Sequence, residues 1–132
     1  EGGFNGAQQI ISAYPEVTLL HNANTAMAMG SISAVQAADV GDKIKVTAWG
    51  GTGDELEALR KGELIATPMR MSDDVGVAMA EAIRADIEGR KDDIPLVFLG
   101  RIDIVSSASG PEVVDAFEKE AFRYTGIGTL ER

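Results

Sequence analysis

Short apolar, β-branched runs alternate with helical stretches along most of this chain, and that alternation limits its fold more than any other feature. Ala7, Ile10, Ile11 and Tyr14 recur at helical spacing, Tyr14-Pro15 ends the helix, and "VTLLHN" reads as a buried strand. Thr25 to Asp39 then carry Met27, Ser31, Ala34, Val35 and Ala38 along one face, and Gly41-Asp42 turns the chain into the strand "KIKVTAW". Thr52 and Glu55 have the spacing of a capping box, which predicts a short helix to about Lys61 that Gly62 stops. "LIAT" is a third strand, and "SDDVGVAMAEAIRADIEG" is a long helix with Val75, Met79, Ile83 and Ile87 on one stripe. "PLVFLG" and "RIDIVSS" are two further strand candidates. Ser109 and Glu112 form a second capping-box pattern before a closing helix with Val113, Val114, Phe117 and Ala121 inward. The expected class is α/β, with a mostly parallel sheet covered on both faces. Two strands in succession near the end fit a complete doubly wound domain poorly, as if the chain were part of something larger.

Composition narrows the function. With 12 basic and 21 acidic residues the formal charge is −9, so a phosphate backbone is repelled and nucleic acid is not an expected partner. No apolar run approaches the ~20 residues of a membrane-spanning helix, so no direct membrane insertion is expected. The absence of cysteine removes disulfides, thiolate catalysis and Cys-type zinc sites together.

"GGTGDE" matches only part of a dinucleotide fingerprint: Leu56 stands where the last glycine belongs, so turn glycines are preferred over a phosphate cradle. His21 has neither a serine nucleophile elbow nor a second metal ligand, and reads as structural. Asp73 and Asp74 are adjacent and do not face each other on a helix, so they complement the macrodipole. Asp92 and Asp93 read as a solvated loop, and the five methionines sit at core-like spacings. Asn24 and Thr25, Trp49 and Arg70 fall at or just past the carboxyl ends of three strands, where open α/β sheets bind ligands. Arg70, between Met69 and Met71, is expected to be desolvated on both sides and to need acceptors. Two readings stand: a ligand-binding arginine beside Trp49, or a salt bridge to Asp73 or Asp74 with Trp49 as core.

The order of these motifs resembles the C-terminal half of periplasmic binding proteins of the sugar-binding type. The stretch from "YPEVTLLHNANTAMAMG" through "VTAWGGTGDELEALRKGELIAT" carries the likeness, which covers nearly the whole chain. "AWGGTGDELEALRKGEL", "MRMSDDVGVAMAEAIRADIE" and the closing "AFRYTG" are similar to the autoinducer-2-binding, LuxP-like members of that family. The resemblance implies an incomplete three-layer type I fold. Residues 1–66 would belong to the C-terminal lobe, and 67–132 to the hinge crossings and the elements that return to the other lobe. The upstream lobe would precede Glu1, and the stripe around Val75, Met79, Ile83 and Ile87 would be left exposed.

The resemblance also implies a non-catalytic protein of the periplasm without cofactor or metal. Its ligand would touch Asn24, Thr25, Trp49 and Arg70 and drive cleft closure. For the autoinducer-2 type, whose ligand is an anionic furanosyl borate diester, the membrane partner would be a sensor histidine kinase. For a sugar type it would be an ABC permease. Sugar-binding relatives place an aspartate just past the strand-end aromatic, whereas Trp49 is followed by Gly50 and Gly51, and Arg70 replaces a neutral polar residue. Forked, charged donors suit an anionic ligand. Ala26 departs from the autoinducer-2 pattern, which has an aspartate there.

Overall fold

A computed structural model describes residues 1–122. The elements run α1 (Gly2–Ala13), β1 (Leu19–His21), α2 (Thr25–Ala37), β2 (Lys45–Thr47), α3 (Gly53–Arg60), β3 (Ala66–Arg70), α4 (Ser72–Ile87), β4 (Ile102–Ser106) and α5 (Pro111–Ala121). Arg123–Gly126 of the closing "AFRYTG" lie outside the described residues. The strands form one sheet in the order β1-β2-β3-β4. The first three are parallel, joined by helical crossovers, and β4 pairs antiparallel with β3 from Ala66↔Ser106 to Arg70↔Ile102.

Alternation along the strands sorts residues onto two faces. Leu20, Val46, Ala48, Thr67, Met69, Met71 and Val105 are buried with Ala28, Ile32 and Val35 of α2, Leu56 and Leu59 of α3, and Val114 and Phe117 of α5. The opposite face is only partly covered, because Leu19, Trp49, Ile102 and Ile104 remain exposed there. The expectation of a sheet covered on both faces is therefore met only in part among the described residues.

Helices α1 and α2 cross at close range through glycine. A Cβ on Gly3 would stand 2.5 Å from the Met27 carbonyl oxygen, and one on Gly30 2.6 Å from the Phe4 nitrogen. Gly62 ends α3 with φ 73°, in the left-handed region that favours glycine.

Several expectations are corrected. Neither capping box forms: Thr52 is the N-cap of α3 but makes no side-chain cap bond, and the Glu55 side chain, the other half of the pattern, turns inward to Thr25. Helix α5 is capped by Gly110, while Ser109 pairs its hydroxyl with Ser106. "PLVFLG" is not a strand. The edge of β3 is taken by β4, and an apolar run without an edge to pair with gains nothing from its β propensity. Met27 and Met79 are exposed rather than core, whereas Met69 and Met71 are buried. The stripe of α4 is open along Val75, Met79, Ile83 and Ile87, and Ala85 is the residue this helix buries.

Candidate functional site

A cavity of about 230 Å³ lies at the carboxyl edge of the parallel strands, lined by Thr25, Gly51, Thr52, Arg70, Ser72 and Val75. Each residue arrives for a topological reason: Thr25 opens α2 after β1, Gly51 and Thr52 follow β2, and Arg70, Ser72 and Val75 span the end of β3 and the start of α4. Three helix N-termini meet there, and their free N–H groups give the cavity a partial positive field. Acidic residues in the first turns, Asp54 and Glu55 of α3 and Asp73 and Asp74 of α4, offset part of it. The volume is below the ~300–1,000 Å³ typical of drug-sized ligands, so a compact molecule fits this side of the site.

Larger hollows exist. One of about 820 Å³ runs along α1 by Asn5, Gln8 and Ser12, and one of about 540 Å³ lies on α4 by Val75, Met79 and Phe98. The first brings together no charged side chain and the second is mainly apolar, whereas the strand-end cavity combines a cation with converging hydroxyls.

Arg70 is exposed rather than desolvated, because strand alternation sends Met69 and Met71 into the core and Arg70 to the other face. No ion pair joins it to Asp73 or Asp74, and among the described residues its guanidinium has no hydrogen-bond partner. Gly50 bridges Met69, so the register sets Trp49 opposite Pro68 and on the face that carries Arg70. Trp49, 40% exposed, is not buried core, and it does not line the cavity. Asn24 does not line it either: its side chain caps α2 by accepting from the Met27 N–H at 2.9 Å. Of the four residues singled out from sequence, the cavity thus brings Thr25 and Arg70 together.

Sequence reasoning missed the partners of these two. Ser72 donates its hydroxyl proton to the Gly51 carbonyl at 3.1 Å, and Thr25 donates to Glu55 Oε1 at 3.0 Å. Gly51 serves close approach, since a Cβ there would lie 3.1 Å from the Arg70 carbonyl oxygen and 3.2 Å from Ser72 Oγ. Position just past a strand end was the signal that could have found Gly51 and Ser72. His21 bonds Thr47 Oγ1 through Nδ1 at 2.9 Å, as a structural histidine would. No cluster of metal-ligating side chains occurs among the described residues.

No family model matches the chain. Over 89 residues, 67% of the chain, it is 32% identical to the ribose import binding protein of Salmonella typhimurium, and equally so to that of Escherichia coli. It spans 30% of the length of these curated relatives. Among solved structures, an ABC-transporter solute-binding protein from Agrobacterium vitis bound to α-D-tagatopyranose superposes with a TM-score of 0.75 at 20% identity, covering 87% of this chain and 38% of the other. A periplasmic solute-binding protein from Actinobacillus succinogenes with bound D-allose gives 0.74 at 23% identity, covering 80% and 36%. The chain carries the fold of the sugar-binding solute receptors of ABC transporters, over about a third of their length.

Proposed function

We propose that this chain forms one side of the cleft of a non-catalytic periplasmic binding protein, which takes a compact, hydroxyl-rich small molecule and delivers it to an ABC permease. The observation that carries the reading is the strand-end cavity, where Arg70, whose guanidinium has no partner among the described residues, lies with Thr25 and Ser72 within a fold shared with sugar-binding receptors. The relatives matched in sequence are import binding proteins by name, which favours transport and a periplasmic site of action. Residues 1–66 are taken as part of one lobe, and 67–132 as hinge crossings and elements leading to the other, of which β4 and α5 pack back into the sheet and core of residues 1–66. Ligand bridging the lobes would stabilise the closed state that the permease recognises.

A second reading is favoured by one feature. Gly50 and Gly51, not an acidic residue, directly follow Trp49, and the Arg70 guanidinium has no partner among the described residues, an arrangement suited to an anionic ligand such as the autoinducer-2 borate diester. A sensor histidine kinase would then be the membrane partner. Thermal shift of the full-length protein separates the two. D-ribose raising the midpoint, with no response to autoinducer-2 plus borate, supports the transport reading; the reverse supports the signalling one. A response to neither overturns both.

A further inference from the structure

Glu55 is fully buried although it is a carboxylate. Its Oε1 accepts from Thr25 Oγ1 at 3.0 Å and its Oε2 from Thr67 Oγ1 at 3.4 Å. No cation pairs with it among the described residues. It occupies the space under Gly50, where a Cβ would come within 2.1 Å of Oε1. A buried carboxylate is costly unless hydrogen-bonded, and both oxygens of Glu55 are.

The polarity of the cavity follows from these bonds. A carboxylate only accepts, so the Thr25 hydroxyl must donate inward and keep its lone pairs for the cavity. A carbonyl also only accepts, so Ser72, bonded to Gly51, is turned the same way. Arg70 has donors and no acceptor. One wall therefore accepts and another donates.

We propose that Glu55 is a positioning residue that fixes Thr25 as a hydrogen-bond acceptor. The site then selects a ligand with hydroxyl donors on the Thr25 and Ser72 side and an acceptor-rich or anionic oxygen group at Arg70, as in a polyhydroxy acid. This rests on the binding-protein reading and sharpens its ligand class. Gly50 belongs to the same device, because any side chain there would displace the carboxylate.

The test has a ligand-free arm and a binding arm, both on the full-length protein. Without ligand, the Thr25 hydroxyl proton should exchange slowly in wild type and Glu55→Gln, whose amide oxygen still accepts, and fast in Glu55→Leu. Affinities for D-ribose, D-ribonate and autoinducer-2 with borate are then measured by calorimetry. A probe with an anionic group should bind wild type more tightly than D-ribose. For a bound probe, Thr25→Val and Glu55→Leu should each cost about ten-fold, the double variant no more than either, and Glu55→Gln little. A fast-exchanging Thr25 proton in wild type, a Glu55→Leu protein that binds as wild type, losses that multiply, or preference for D-ribose would overturn the inference and leave the binding-protein reading standing. If no probe binds while the proton exchanges slowly, the binding-protein reading falls and the orienting role of Glu55 survives. Should Glu55→Leu fail to fold, Thr25→Val, Glu55→Gln and the proton measurement still decide.

Discussion

Arg70 shows how a single position can look different in sequence and in space. Two flanking methionines suggested a buried guanidinium, yet the period of two in a strand buries the methionines and frees the arginine. A guanidinium with no partner among the described residues leaves the fold little to lose. Arg70→Met should therefore change stability by no more than about 0.5 kcal/mol, as for surface positions generally. In the full-length protein the same change should weaken ligand binding by about 1.5–3 kcal/mol, the usual worth of hydrogen bonds to a charged group. Chemical denaturation and calorimetric titration check the two halves, and a large stability loss with unchanged affinity would make Arg70 structural. Glu55 is the converse case. Its spacing from Thr52 matched a local capping pattern, but long-range partners, Thr25 and Thr67, captured its carboxylate, and no local rule in a sequence reports such partners.

At the scale of elements, period and glycine placement read well because they depend on neighbours in sequence. All five helices and four of the five strand candidates appear, while "PLVFLG" fails because strand formation needs an edge that only tertiary structure supplies. The cavity was legible at Thr25 and Arg70 through strand-end position, and Asn24 was drawn off into capping α2. The crossing of α1 and α2 was not legible. There Gly30→Ala should cost about 1–3 kcal/mol by pushing a methyl into the backbone of α1, whereas Gly6→Ala, with open space at its Cβ, should stabilise α1 by about 0.5–1 kcal/mol. Urea unfolding of both variants tests the pair, and a neutral Gly30→Ala would mean the helices can part freely. The end of α4 gives a pH signature. Arg90 first, and then Arg84, hold the Glu88 carboxyl below its ordinary range. Because the folded value is depressed, this contribution is present above the ordinary glutamate range and is lost as pH falls through the folded value. The thermal-midpoint difference between wild type and Glu88→Gln should thus be small at neutral pH, vanish in acid and shrink with salt, as these groups are fully exposed. A difference that grows in acid would contradict the assignment.

For the molecule as a whole, the question is what covers the apolar surface left open. Val75, Met79, Ile83 and Ile87 run down α4, with Ile87 80% exposed, and Leu96, Val97, Phe98 and Leu99 follow nearby in the chain without cover. Ile102 and Ile104, the latter 72% exposed, add a second apolar strip on the open sheet face. Contiguous apolar surface of this kind is rare on a soluble monomer and favours association. The curated relatives are about three times longer than the matched region. Charge works the other way: a formal −9 makes copies of the chain repel at low ionic strength. The 132-residue chain alone should therefore be near its 13.9 kDa mass in dilute buffer and self-associate as salt screens that repulsion. The joint change Ile83→Lys and Ile87→Lys should hold it monomeric at the same salt, by placing cations on the stripe itself. Light scattering across a salt series measures all three. Association that weakens with salt would mean that ion pairs rather than the α4 stripe join the copies, and a monomer at every salt concentration would mean that neither apolar surface is adhesive.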